Sequence, residues 1–226
     1  MHRSRSVAVF LIITILLAIP AHILAYSQDK LLLHAALNSY HPPVLDVIAS
    51  YLTHLADGWV PALIALALLL TKDVRSFLMV GLSAGLSALI VQFLKRMIFG
   101  EWDRPFMYKD DLGDMGWVIG IEMNHHFSFP SGHSTAAFST CMAVAIIVAQ
   151  VRWSIILALA AAVLAFTRVY LSQHFLIDIA AGALIGSASA TIIYFILYKG
   201  PRSTDHRLSR KVWRSVRTSS GGRSHR

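Results

Sequence analysis

Six long apolar runs are the feature that most restricts how this 226-residue chain can fold. A run of about 20 apolar residues is long enough to cross the hydrocarbon core of a bilayer as an α-helix. In lipid every backbone polar group must be satisfied within the protein, so such runs form helices. The runs cover residues 6–25, 49–71, 77–94, 134–151, 153–170 and 175–198. The sequence therefore predicts an all-α, polytopic membrane protein built on a bundle of six transmembrane helices.

The other segments connect or follow these spans. Residues 26–51 mix apolar and polar side chains around two consecutive prolines, which predicts short amphipathic helices at the membrane surface. A long polar loop covers residues 100–128. We assign residues 1–199 to one membrane domain and residues 200–226 to a basic tail, for which we predict disorder or contact with anionic lipid. A cleaved signal peptide is the alternative for the first span, but no Ala-x-Ala site follows it, which favours a retained span.

Charged residues are scarce and unevenly distributed. Only 14% of the residues are charged and 56% are hydrophobic, whereas roughly a quarter of a soluble domain is charged. With six spans both termini lie on one side, and that side holds fourteen of the twenty Lys and Arg residues. The positive-inside rule makes this side cytoplasmic. We therefore expect a multi-pass protein of the inner (cytoplasmic) membrane with both termini in the cytoplasm, and we do not interpret the net charge of +8 as a signal for nucleic acid.

The segment from Phe129 to His133 stands at the start of the fourth span. Ser131 is a good helix cap, and Gly132 lets the backbone come close to a ligand. The free N–H groups and the positive end of the helix dipole would then form an anion site, for which phosphate is the usual occupant. His133 adds a group that carries or donates a proton near neutral pH. A plain helix start with an interfacial histidine explains the segment equally well, so other residues must decide.

Several cations lie on the same predicted outer side of the membrane. They are Arg104 in the long loop, Arg168 at the end of the fifth span, and Lys95 or Arg96 at the end of the third. Ionisable residues at membrane depth are costly and by default functional. Cations beside a helix N-terminus form a phosphate cradle, and phosphoryl transfer needs little more than such charges, a nucleophile and an acid.

His174 and Asp178 are four residues apart at the start of the sixth span and therefore share a helix face. A carboxylate at this spacing can hold one imidazole N–H and leave the other nitrogen free to attack. A helix-capping ion pair is the alternative for these two residues taken alone. The one cysteine, Cys141, lies inside an apolar run and is expected to be a core residue rather than a nucleophile.

Three segments together resemble the signature motifs of the type-2 phosphatidic acid phosphatase / vanadium haloperoxidase superfamily: Arg104-Pro105, Pro130-Ser131-Gly132-His133, and Arg168-x5-His174-x3-Asp178. The resemblance implies that His174 is a nucleophile that forms a phosphohistidine, that Asp178 orients it, and that His133 protonates the leaving oxygen. It also implies a set of phosphate-binding residues: Lys95, Arg104, Ser131, Gly132 and Arg168. It implies neither a metal nor another cofactor.

Two positions depart from the family pattern. The third motif begins with Thr167 in place of the usual serine, which keeps a hydroxyl. The lysine that usually stands seven residues before the arginine is replaced by Met97, so Lys95 and Arg96 are the candidates for the missing cation. In a helix, residues three and four positions apart lie on the same face. The face that contains Lys95 has small and polar residues, whereas the face that contains Arg96 has bulky apolar residues. We therefore expect Lys95 to point toward the site and Arg96 toward the lipid headgroups.

The resemblance implies an integral-membrane lipid phosphate phosphatase acting at the outer, periplasmic face. Phosphatidic acid, phosphatidylglycerol phosphate, undecaprenyl diphosphate and the lipid A phosphates would all suit such a cradle. A metal-binding membrane hydrolase or metal transporter, with His133, His174 and Asp178 as ligands, is a second hypothesis. A phosphate-binding transporter without chemistry is a third, and six spans argue against a haloperoxidase. The expected partners are the lipid substrate and the bilayer, without nucleic acid; the sequence does not address the oligomeric state.

Overall fold

The computed structural model describes residues 2–211, and over this range the chain is helical without β-strands, which confirms the predicted all-α class. The α-helices are α1 (His2–Ser27), α2 (Lys30–Leu37), α3 (Pro43–Leu52), α4 (Trp59–Thr71), α5 (Val74–Met97), α6 (Lys109–Leu112), α7 (Gly132–Val148), α8 (Val151–Tyr170) and α9 (Leu176–Tyr194). A π-helical segment, Phe195–Lys199, continues α9. The predicted surface segment after the first span forms α2 and α3, and the long loop contains only short helical turns.

Fewer helices are long and apolar enough to span a membrane than the six predicted, so the six-helix bundle is not confirmed. Among residues 2–211, four helices are long and apolar enough to cross a membrane: α1, α5, α8, and α9 with its extension. The helices α3 and α4 pass the same test only as a pair, bent by 56°. Although α7 is apolar, its 17 residues span only about 25 Å. The structure thus supports four spans, or five with the bent pair.

The second predicted span, residues 49–71, is wrong as a continuous helix. A 3₁₀ turn, Thr53–Ala56, follows α3, and α4 begins only after it. The reason is a carboxylate within an apolar run. Asp57 accepts hydrogen bonds from the ring of His54 at 2.9 Å and from the indole of Trp59 at 3.3 Å. A carboxylate in an apolar run needs hydrogen-bond donors, and the break in the helix supplies two of them locally.

Helix α7 lies at the centre of the bundle, where it packs against α1, α5, α8 and α9. Small side chains at these contacts let the backbones approach closely. The closest approach is to α9, where a Cβ added to Gly182 would lie 2.7 Å from the carbonyl oxygen of Ser131. A Cβ added to Gly186 would meet the carbonyl oxygen of Thr135 even more closely. The first turns of α9 are therefore held against the N-terminus of α7.

Residues 201–209, which the sequence analysis assigns to the tail, form two 3₁₀ turns. The Arg75 guanidinium donates hydrogen bonds of 2.9–3.2 Å to the backbone carbonyl oxygens of Arg202, Ser203 and Asp205. These bonds tie the turns to the start of α5. The predicted disorder of residues 212–226 lies outside the described residues, and the domain division at residue 199 stays a prediction.

Candidate active site

The residues predicted to form the site lie at one end of the bundle. Lys95 is in the last turn of α5, and Arg168 is in the last turn of α8. Ser131 caps the start of α7, while His174 and Asp178 stand just before and within the first turn of α9. Because consecutive helices run in opposite directions, the ends of two helices meet the starts of two others.

His174 and Asp178 form a buried pair in the centre of this end. Nδ1 of His174 lies 3.3 Å from Oδ2 of Asp178, and their side chains are 2% and 0% exposed. The hydroxyl of Ser128 and the backbone N–H of Phe175 donate to the same oxygen at 2.5 and 2.9 Å. The carboxylate is therefore fixed. Since Nδ1 faces it, Nε2 is the imidazole nitrogen left for a reacting group.

The turn between α8 and α9 keeps His174 unprotonated. Burial, and then the positive charges of Arg104, Lys95 and Arg168, hold the pKa of His174 well below its ordinary value of 6.5. A buried imidazole beside fixed cations loses the stabilisation that water would give to its charged form. At neutral pH His174 therefore has a free lone pair, which a nucleophile requires.

Gln173 connects the two arginines of the site. Its Oε1 accepts hydrogen bonds from Nη1 of Arg104 and Nη2 of Arg168, both at 3.4 Å, and its backbone carbonyl accepts one from Arg104 at 3.1 Å. Nε of Arg104 donates to the carbonyl oxygen of His126 at 2.9 Å. Nε of Arg168 is buried and has no acceptor among residues 2–211. An unpaired guanidinium N–H in a buried position is an open donor for an oxyanion.

Lys95 and Arg96 point in different directions. Lys95 is 9% exposed, and its Nζ donates to the carbonyl oxygen of Phe127 at 2.7 Å. Arg96 is exposed. The buried stripe of α5 below Lys95 contains Val91 and Ser87. The residues that steps of three and four from Lys95 reach, Gln92, Ala88 and Gly85, are exposed. The structure thus brings Lys95 to the site, while its role in binding phosphate stays a prediction.

The start of α7 forms one wall of the site. The hydroxyl of Ser131 accepts the N–H of Ser134 at 3.4 Å, which confirms the predicted cap. The N–H of Ser131 donates to the carbonyl oxygen of Asp178 at 3.0 Å. The first N–H groups of any helix lack intrahelical acceptors, and here they belong to Gly132 and His133. They give this wall the character of an anion site.

The break between α3 and α4 supplies two site residues that the sequence analysis missed. Oγ1 of Thr53 accepts a hydrogen bond from Nη1 of Arg168 at 3.0 Å. Oδ1 of Asp57 lies 2.8 Å from Nε2 of His133. An acidic residue inside an apolar run is a signal that could have identified Asp57, whereas a threonine in such a run gives none. The other missed residues are Ser128 and Gln173.

A cavity of about 530 Å³ opens beside His133, between α4, α5 and α7. Small residues form much of its wall, among them Gly81, Gly85 and Ala88 of α5. No side chain of α5 fills the space next to Gly85, because a Cβ added there would meet nothing within 4 Å. The wall of the cavity is mostly apolar, and its polar side chains are Ser87, Gln92, His133 and Thr135.

The hypothesis of a metal site finds no matching geometry. Within the part of the chain that the structure describes, no three His, Cys, Asp or Glu side chains come together as metal ligands. His133 is paired with Asp57, and His174 is paired with Asp178. The three residues proposed as ligands therefore belong to two separate pairs.

The predicted site residues lie in a segment that is similar to known proteins. The model of the PAP2 superfamily matches residues 76–202, a range that contains every site residue predicted from the sequence. A lipid A 4'-phosphatase of Bacteroides thetaiotaomicron is 27% identical over 169 residues, which are 72% of this chain and 74% of the relative. The crystal structure of Aquifex aeolicus LpxE matches with a TM-score of 0.63 and 26% identity, over 73% of this chain and 93% of that chain.

A second solved structure shows likeness of fold alone. It is a transmembrane PAP2-type phosphatidylglycerolphosphate phosphatase from Bacillus subtilis, with a TM-score of 0.62 and 23% identity. The match covers 88% of this chain and 98% of that chain. Thus the helical arrangement over most of this chain is shared with a membrane enzyme of known structure.

Proposed function

This chain belongs to the PAP2 superfamily and is a membrane lipid phosphate phosphatase of that type, and from this premise we propose how its residues act and on which lipids. The observation that carries the proposal is the buried His174–Asp178 pair, surrounded by cations and a helix N-terminus. Such a site has a neutral nucleophile and positive charge around the position of a phosphate. Phosphoryl transfer depends mainly on these two conditions.

We propose that the phosphate of the substrate is bound by Lys95, Arg104 and Arg168, together with the backbone N–H groups of Gly132 and His133 at the start of α7. The N–H of Ser131, which the family resemblance also assigns to the phosphate, is donated to the carbonyl oxygen of Asp178, so Ser131 would contribute as the helix cap. Nε of Arg168, which has no acceptor among residues 2–211, would donate to one phosphate oxygen. A guanidinium matches the geometry of two such oxygens at once. These fixed charges would neutralise the phosphate without a metal, so we expect activity in the presence of chelators.

In the first chemical step, Nε2 of His174 attacks phosphorus while Asp178 holds the proton on Nδ1. The bond from phosphorus to the leaving oxygen breaks, and His133 transfers a proton to that oxygen. The products are a phosphohistidine and the dephosphorylated lipid, which is a lipid monophosphate when the substrate is a diphosphate.

In the second step, water attacks the phosphorus of the phosphohistidine. His133, now unprotonated, accepts a proton from this water, and the bond between phosphorus and Nε2 of His174 breaks. Inorganic phosphate leaves, and both histidines return to their starting states. His133 thus acts as an acid in the first step and as a base in the second, because the proton that it gives to the leaving oxygen is recovered from water.

We propose that the cavity between α4, α5 and α7 receives the apolar part of the substrate. Its wall is mostly apolar and includes His133, the residue that would protonate the leaving oxygen. A lipid lying there would present its phosphate to the cations without leaving the membrane. The relative named as a lipid A 4'-phosphatase makes a lipid A phosphate the first candidate substrate.

We further propose that all six apolar segments cross the inner membrane, with α3 and α4 as one bent span. Helix α7 would be a short central span, since α1, α5, α8 and α9 surround it and separate it from lipid. The distribution of Lys and Arg supports cytoplasmic termini and a site at the periplasmic face.

The test is phosphate release by the purified protein. Lipid A phosphate, phosphatidic acid, phosphatidylglycerol phosphate and undecaprenyl diphosphate would be supplied in mixed micelles, with and without a chelator. We expect activity on at least one lipid, resistance to the chelator, and no release by His174→Ala at an unchanged thermal unfolding midpoint. Inactivity of the wild type on every lipid, or full turnover by His174→Ala, would overturn the proposal.

A further inference from the structure

The site contains a second histidine–carboxylate pair, formed by His133 and Asp57. Nε2 of His133 lies 2.8 Å from Oδ1 of Asp57, although the residues are 76 positions apart. Asp57 stands at the break between α3 and α4, outside residues 76–202 that match the family. The three sequence motifs therefore do not include this pair.

The surroundings of Asp57 hold its carboxylate in one orientation. Oδ2 accepts hydrogen bonds from His54 at 2.9 Å and from Trp59 at 3.3 Å, which directs Oδ1 toward His133. The turn just before Asp57 also carries Thr53, whose hydroxyl accepts the hydrogen bond from Arg168. The turn between α3 and α4 thus contacts two residues of the site: Thr53 contacts Arg168, and Asp57 contacts His133.

The pairing determines which nitrogen of His133 can exchange a proton with the substrate. An ionised carboxylate only accepts hydrogen bonds, so Nε2 of His133 must carry the proton in this contact. The remaining nitrogen, Nδ1, is then the one available to the reacting oxygen. A carboxylate within hydrogen-bond distance also stabilises the protonated ring of His133 relative to the neutral ring.

We propose that Asp57 is a positioning residue for acid–base catalysis, which holds the proton of His133 on Nε2 and supports the charged ring that protonates the leaving oxygen through Nδ1. The inference rests on the proposed phosphatase function. It gives the site two His–Asp pairs with different tasks: one orients the nucleophile, and the other orients the acid. The break between α3 and α4 would then have a role in catalysis, because a continuous helix would not have this turn beside His133.

Leaving-group dependence separates this role from a structural one. An acid matters when the leaving oxygen is a poor leaving group and matters little when it is a good one. The two substrates would be an alkyl phosphate and an aryl phosphate that carry the same acyl chain. For Asp57→Asn we expect kcat on the alkyl phosphate to fall roughly 10- to 100-fold, which is part of the 10²- to 10⁴-fold ascribed to a general acid. The loss on the aryl phosphate should be several times smaller.

Two controls accompany Asp57→Asn. Asp46→Asn removes a similar pair, in which Nδ1 of His41 lies 3.1 Å from the carboxylate, and should leave the ratio of the two rates unchanged. His133→Ala should show the same leaving-group pattern as Asp57→Asn, and the double variant should be little worse than His133→Ala, because two residues that act together are not additive. Equal losses on both substrates, or additive losses in the double variant, would overturn the inference.

A measurement on the wild-type protein covers the case in which Asp57→Asn does not fold. In a spectrum of the ¹⁵N-histidine-labelled protein, with His133 assigned by comparison with His133→Gln, its Nε2 should carry the proton. A neutral ring protonated only on Nδ1 would contradict the inference. Wild-type inactivity on both phosphates would instead refute the underlying phosphatase function, whatever the tautomer of His133.

Discussion

The adjacent cations Lys95 and Arg96 allow a matched test of how the site binds phosphate. Lys95→Met removes the ammonium group and keeps most of the aliphatic chain, and Arg96→Met makes the corresponding change on the exposed side of α5. Lys95 is 9% exposed and close enough to Arg104 and Arg168 to interact with their charges. Arg96 is exposed and makes no side-chain hydrogen bond within residues 2–211. Each substitution removes one positive charge and leaves an unbranched apolar side chain, so the main difference between the two is their position relative to the site.

The size of the expected effect follows from the contact that is lost. A hydrogen bond to a charged group contributes about 1.5–3 kcal/mol, and each 1.4 kcal/mol changes a rate about ten-fold. We therefore expect Lys95→Met to lower kcat/KM by roughly 10- to 150-fold. Stability should change less, because the hydrogen bond that the substrate-free protein loses is the one to the carbonyl oxygen of Phe127, a residue that is 46% exposed.

The assay measures kcat/KM for the preferred lipid in mixed micelles, together with the thermal unfolding midpoint of each variant. Arg96→Met should resemble the wild type in both measurements. A larger loss for Arg96→Met than for Lys95→Met would show that Arg96 is the phosphate ligand and that the orientation argument is incorrect. A loss for Lys95→Met that merely follows a lower unfolding midpoint would refute the assigned role in binding.

Three further predictions concern packing, protonation and topology. Gly182→Ala places a Cβ 2.7 Å from the carbonyl oxygen of Ser131 and should lower the free energy of unfolding by about 1–3 kcal/mol. Gly85→Ala is the control and should leave it unchanged, because the added Cβ meets nothing within 4 Å. Equal unfolding midpoints for the two variants would contradict this prediction. Because the pKa of His174 is held below 6.5, its ring should titrate below pH 6.5 by NMR in the substrate-free protein. The unfolded chain then binds a proton that the native state does not, so the free energy of unfolding should fall as the pH decreases below 6.5, and a midpoint at or above 6.5 would refute the argument. A reporter that works only outside the cytoplasm should be active within residues 113–120 and inactive at the C-terminus; the reverse would place the site at the inner leaflet.

Much of the architecture could be predicted from the sequence because it depends on local physics. An apolar run of sufficient length forms a helix wherever it lies, so the helices α1, α5, α7, α8 and α9 appear where the runs are. Ser131 caps α7 through a hydroxyl three residues before its donor. His174 and Asp178 meet because a helix brings residues four apart onto one face. Each of these features is determined within a few residues of chain, and each was accessible without coordinates.

Contacts between distant segments depended on the tertiary structure. The Asp57–His133 and Thr53–Arg168 contacts join residues 76 and 115 positions apart, and neither has a periodicity that a sequence could display. Both arise because the second apolar run breaks at an acidic residue, while hydropathy alone predicts that it continues. The sequence by itself thus determined the helices and the residues able to carry the chemistry. Packing of the helix ends decided which of those residues are paired, because a buried carboxylate takes its partners from whatever polar groups the fold brings within reach.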